Sequence, residues 1–121
     1  MAIFRFATAS ALAIASVAAT SAPIDDQMQR LALDSGCMVC HARVAKMEGN
    51  SLPPAAPAWN AIAGRYRGQG GVEDRLVDKV LHGSGPGRRH WQVSVVAMPP
   101  NAVEISERDA RALVRWILQQ K

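Results

Sequence analysis

The segment Cys37-Met38-Val39-Cys40-His41 constrains this chain more than any other. On a short helical turn, positions i, i+3 and i+4 share a face, so two thiols and an imidazole project together. Two thiols three residues apart, followed at once by a histidine, form the signature of covalent c-type haem attachment. In that reading Cys37 and Cys40 reach the two vinyl edges of a porphyrin, and His41 is aimed at the iron. A disulfide is compatible with an exported chain. A redox-active C-x-x-C pair, however, belongs at a helix start after a strand, and no strand pattern precedes Cys37. Zinc needs further ligands, and the chain has no second cysteine pair. Haem attachment uses all three side chains.

Export is the next inference. Arg5 is the only early charge, and residues 6–19 are small and apolar without a charge. Small residues at Ala19, Ser21 and Ala22 offer cleavage sites. This is the pattern of a secretory signal peptide, with an apolar run short for a bilayer span; an uncleaved anchor is the alternative. Pro23 disfavours a cut directly after Ala22, so Ala19 or Ser21 is preferred. The expected organisation is a signal peptide over residues 1–22 and one domain over 23–121, located in the periplasm.

Ninety-nine residues then remain, few enough that a small domain leans on a metal, disulfide or cofactor for part of its core. Four aromatics are left, Trp59, Tyr66, Trp91 and Trp116, which fits a core built round a large non-protein ring. Without Arg5 the remaining chain carries 13 basic and 10 acidic residues. Asp25, Asp26 and Asp34 lie early and basic residues cluster between Arg65 and Arg89, a dipolar arrangement able to steer a protein partner; an ordinary solvated surface is the alternative. No basic run is interleaved with aromatics, so nucleic acid is not expected as a partner.

Four helices are legible. The first covers residues 25–36, with Asp25 or Asp26 as cap and Met28, Leu31 and Ala32 on one face; Gly36 ends the run or allows close approach by another segment. Pro57 suits the first turn of a short second helix over 58–67, with Trp59, Ile62 and Ala63 inward. A third covers 72–81, where Val72, Leu76 and Val80 form a stripe, Val77 and Leu81 lie beside it, and Gly83 follows its end. The fourth covers 106–120, opened by Ser106 and Asp109 in a capping-box arrangement. Its residues Ala110, Leu113, Val114, Ile117 and Leu118 run i, i+3, i+4, i+7, i+8. Between the third and fourth lie residues 84–105 with no helical period, and a stretch that long signals function. It contains Met98, the leading candidate for a second iron ligand.

At this point the chain resembles the small class I bacterial cytochromes c of the c551/c552 type. The residues that carry the likeness are Gly36-Cys37-Met38-Val39-Cys40-His41-Ala42, Lys46-Met47, Pro57-Ala58-Trp59, His82-Gly83-Ser84, Met98-Pro99-Pro100-Asn101 and Leu113-Val114-Arg115-Trp116-Ile117-Leu118. The resemblance implies an all-α fold of about four helices wrapped round one covalent haem, with a long distal methionine loop. It places the crossing of the first and last helices at Gly36, where a larger side chain would push them apart. It makes Met98 the distal ligand to His41. It gives His41 Nδ1–H a proline carbonyl as acceptor, matched here by Pro57, with Pro54 as rival. It assigns Asn101 a hydrogen bond to the methionine sulfur, and Trp91 and Lys79 a haem propionate, with Arg88 and Arg89 as substitutes. The chain departs from the pattern by inserting residues 50–56 before Pro57 and by a longer path from Trp91 to Met98. Met47 is too near His41 in sequence to cross to the far side, and Met28 reads as core. His82 at a helix end and His90 in the long loop are the alternatives for the distal position.

With both axial positions filled, small molecules are excluded from iron, so neither an enzyme nor a small-molecule substrate is expected. The function implied is transfer of single electrons between redox proteins that dock transiently. Two alternatives stand beside it: a haem subunit held stably by a periplasmic oxidoreductase, and an open-site ligand-binding haem protein.

Overall fold

The computed structural model describes residues 23–44, 56–85 and 96–121. The signal segment and the expectations for Met47, Pro54, Arg88, Arg89, His90 and Trp91 lie outside these residues. Among the described residues four α-helices follow in order: α1 (Ile24–Asp34), α2 (Trp59–Tyr66), α3 (Val72–His82) and α4 (Glu107–Ile117), with a 3₁₀ turn over Cys37–Val39. No strand occurs among the described residues, as an all-α chain requires.

α4 is the hub, packed on α3, α1 and α2. Its i, i+3, i+4 spacing puts Ala110, Leu113, Val114 and Ile117 on the buried side, and Trp116 joins them at 4 % exposure. They meet Ala32 of α1, Trp59 of α2, and Val77 and Val80 of α3 in one continuous core. Ala32 and Ala110 are both fully buried, so small side chains let the first and last helices approach. Trp59 and Trp116 meet edge to face, with centroids 5.3 Å apart. On the outer side Arg111 binds Glu73, Asp74 and Glu107, and Arg115 binds Glu73, lacing α3 to α4.

Helix ends follow local chemistry and correct several expectations. Ser106 caps α4 as expected: its Oγ accepts from Asp109 N at 3.1 Å and donates to Asp109 Oδ2 at 2.7 Å. α1 is not capped by Asp25 or Asp26. Pro23 holds the cap position with no side-chain bond, and Asp25 is drawn away by the indole N–H of Trp116 at 2.6 Å, a buried donor that needs a partner. Pro57 is not in the first turn of α2. Ala58 is the cap residue, in extended conformation, and Pro57 sits one step outside with its carbonyl free to accept.

Gly36 also differs from expectation. A Cβ there would meet no atom within 4 Å, so it is not the point where helices press together. Its φ of +72° is the reason for glycine: the chain reverses out of α1 into the 3₁₀ turn through the left-handed region. The close approach lies at Gly83. A Cβ there would stand 2.6 Å from Met98 O, 2.9 Å from Pro100 N and 3.0 Å from Pro99 C.

Candidate haem site

His41 follows the 3₁₀ turn, and its backbone N–H donates to Cys37 O at 3.0 Å. Cys37 opens that turn and Cys40 is the residue that caps its end. They form no disulfide with each other; Cys37 is half-buried and Cys40 exposed. Burial pushes the Cys37 thiol up from its ordinary range, so this position favours the uncharged S–H.

The imidazole is fixed from one side. His41 Nδ1 lies 2.8 Å from Pro57 O. A carbonyl only accepts, so Nδ1 carries the proton. Burial lowers the pKa of His41, opposed in part by the Pro57 hydrogen bond, so the ring is neutral at pH 7. A neutral ring protonated at Nδ1 has its lone pair on Nε2, the state in which histidine binds a metal.

Pro57 is held there by backbone geometry. The first N–H groups of a helix lack intrahelical acceptors. In α2 they find them on the strand of chain after His41: Trp59 N donates to Ala42 O at 2.9 Å, and Asn60 N to Arg43 O at 3.2 Å. Residues 41–43 and 57–60 therefore run side by side, joined by three hydrogen bonds that include the imidazole.

Met98 lies in an equally determined seat. Its N–H donates to Ser84 Oγ at 2.8 Å, and its carbonyl accepts from Ser84 N at 2.9 Å. Gly83 leaves room for the same carbonyl oxygen, which a Cβ there would meet at 2.6 Å. Further along, Asn101 N donates to Val80 O and Leu81 O at 3.1 and 3.2 Å, fastening the loop to the end of α3. The Asn101 amide donates to Ser35 O at 2.9 Å, which ties the methionine loop to the residue before Gly36-Cys37. That partner differs from the methionine sulfur implied by the resemblance, although an amide has a second N–H. Lys79 stands in the last turn of α3, and its carbonyl accepts from Gly83 N. His82 is exposed, with Nδ1 2.9 Å from Asp78 Oδ1 on its own helix.

The donor set and its surroundings fit a haem. A histidine with its Nδ1–H already engaged and two cysteines not paired with each other lie within five consecutive residues. Cys37, Met98, Leu31, Ile62, Leu76 and Leu81 are half-buried and packed against the core, apolar surface of the kind a flat apolar ring would cover. Sequence reasoning missed the clamp made by Ser84, whose signal was a hydroxyl residue directly after a helix-ending glycine. It also missed Arg43 and Gln120, which no local pattern marks.

An all-α core with these ligand types on one C-x-x-C-H turn defines a c-type cytochrome. The cytochrome c family profile matches residues 26–121, and the chain belongs to that family. It is 43 % identical over 88 residues to cytochrome c-551 of Allochromatium vinosum, covering 73 % of this chain and 80 % of that protein. To cytochrome c-551 of Pseudomonas aeruginosa it is 34 % identical over 116 residues, covering 96 % of this chain and 97 % of that one. Among solved structures, wild-type cytochrome c552 of Nitrosomonas europaea superimposes with a TM-score of 0.58 at 32 % identity, covering 77 % of this chain and 99 % of that one. Family membership brings one covalently attached haem c and the role of an electron carrier.

Proposed function

We propose that this protein is exported, with residues 1–22 as its signal peptide, and carries single electrons between redox proteins in the periplasm. Cys37 and Cys40 would hold the haem as thioethers, and His41 Nε2 and Met98 Sδ would bind its iron. When bound, the haem supplies the one-electron couple of its iron. The observation that carries the assignment is the Nδ1–H of His41 fixed on Pro57 O, because it commits the other nitrogen to the metal.

The residues round the site favour a carrier over an enzyme. Ser84, Gly83 and Asn101 fix the backbone of Met98 from both sides, so a small molecule must displace a held ligand to reach iron. Rigid ligands also limit the rearrangement that accompanies a change of oxidation state. No helix among the described residues is long and apolar enough to cross a membrane.

The test is absorption spectroscopy and carbon monoxide binding on the holoprotein. The native protein should show a methionine–iron band when oxidised and resist carbon monoxide when reduced. Met98→Ala should lose the band, bind carbon monoxide and lower the potential. Rapid carbon monoxide binding by the native protein, with no such band, would sink the Met98 assignment. Purification from the native host should yield a free protein; a stoichiometric partner would make it a subunit instead.

A further inference from the structure

Arg43 makes a closed ring of hydrogen bonds that joins three distant parts of the chain. Arg43 Nη2 donates to Asp25 Oδ2 at 3.0 Å, and Trp116 Nε1 donates to the other oxygen of that carboxylate at 2.6 Å. Gln120 Nε2 donates to Trp116 O at 3.0 Å, and Arg43 Nε closes the ring on Gln120 Oε1 at 2.9 Å. The guanidinium carbon also lies 5.6 Å from the Trp116 ring centroid, within cation–π range. Arg67 Nη2 donates to Gln120 O at 2.6 Å, holding the hub of the ring from outside.

An ion pair this exposed contributes little by its charges alone, since each partner is nearly half accessible. Geometry is the stronger feature. Gln120 is a polar side chain only 7 % exposed, and both ends of its amide are used. Burying an amide is favourable only with such partners, and Arg43 is one of them. The planar guanidinium reaches Asp25 and Gln120 at once, which a point charge does not.

We infer that Arg43 is a positioning residue for His41, resting on the reading of His41 as the proximal ligand. Its backbone carbonyl accepts from Asn60 N, so it is the last rung of the paired segment that sets Pro57 O against His41 Nδ1. Its side chain locks that rung to α1 and to the end of α4. Without the fork, residues 41–43 keep their bonds to α2 but lose their anchor to both terminal helices. Pro57 and His41 then move against each other, and the Nδ1–H bond weakens. A weaker bond makes the imidazole a poorer donor to iron, disfavours the ferric state and raises the potential.

The experiment is NMR of the reduced holoprotein, following exchange of the His41 Nδ1 proton against backbone amides of α3, which does not touch the ring of bonds. Arg43→Lys keeps the charge and removes the fork; Gln120→Leu changes no charge and breaks the ring at its opposite side. Both should accelerate Nδ1–H exchange about tenfold or more, the scale of one lost charge-assisted hydrogen bond, relative to the α3 amides. Both should also raise the potential, and the double variant should add little to either. If all protons accelerate together, or if Arg43→Lys matches the wild type, Arg43 is a structural tie or a simple charge and the inference is overturned. His41 ring protons in the wild type must show the upfield shift of an iron-bound histidine. Its absence would remove the ligand assignment itself, a different result from unchanged exchange in the variants.

Discussion

Gly83→Ala isolates the contact that seats the methionine loop. Two separable terms set its cost. The backbone of Gly83 has φ +75° and ψ 177°, a region populated almost only by glycine, where another residue is strained by about 1–3 kcal/mol. The new Cβ would also stand 2.6 Å from Met98 O, and ordinary contact begins near 3.4 Å. All three atoms it meets are backbone, so no side chain can rotate away. The loop must lift, and lifting it strains the paired hydrogen bonds between Ser84 and Met98, worth about 0.5–1.5 kcal/mol each. The total is about 2–6 kcal/mol. Gly36→Ala is the matched control: φ is +72° but a Cβ meets nothing within 4 Å, so only left-handed strain of about 1–2 kcal/mol applies. Guanidinium unfolding of the two holoproteins, followed by far-ultraviolet circular dichroism, measures the difference. The oxidised methionine–iron band should weaken in Gly83→Ala and stay intact in Gly36→Ala. Equal losses of stability with equal spectra would refute the close-approach argument and reduce Gly83 to a second strained turn.

Three further outcomes follow from the same geometry. Ser84→Ala removes the acceptor of the Met98 N–H and should destabilise the holoprotein by about 1–3 kcal/mol, because that donor is left partly buried without a partner; combined with Gly83→Ala the losses should be less than additive. Ser106→Ala should cost about 1 kcal/mol through loss of the α4 cap, leaving the visible spectrum unchanged. The carboxyls of Asp25, held down first by the Trp116 indole and then by Arg43, and of Glu73, held down by Arg115 and Arg111, titrate below their ordinary values. A depressed carboxyl stabilises the fold above its unfolded pKa, and that contribution disappears as pH falls through the folded value. Stability should therefore drop on acidification below the ordinary carboxylate range, and Asp25→Asn should flatten part of that slope in unfolding curves measured at several pH values.

What was legible in the sequence was whatever is local. Cys37, Cys40 and His41 declare themselves by spacing alone. α3 and α4 show their buried sides through a 3.6-residue period, and Ser106 with Asp109 marks a helix start. The two glycines show the limit. Both were visible as breaks, yet helix crossing was expected at Gly36 and only helix termination at Gly83. A sequence does not reveal φ, nor which backbone passes within 3 Å, and these two quantities reverse the roles. Asp25 illustrates the same point: a carboxylate near a helix start is a reasonable cap until a buried indole 91 positions away claims it.

The least legible residues are single polar side chains whose partners are remote. Ser84 acts on Met98 across 14 positions, Arg43 on Asp25 across 18 and on Gln120 across 77. Each is unremarkable in its own neighbourhood, and each fixes backbone next to a proposed iron ligand. The two sides of the site are consequently built in different ways. The proximal side is assembled from residues 41–43 and 57–60 and clamped by both terminal helices, while the distal side is a loop returned onto the end of α3. They meet at Asn101, whose backbone N–H belongs to the α3 junction and whose amide reaches Ser35 just ahead of the cysteines. A change in the loop thus reaches the C-x-x-C-H turn through this one side chain as well as through the core that Cys37 and Met98 both pack against. That makes the spacing of His41 and Met98, the proposed ligands, depend on a polar contact in addition to apolar packing.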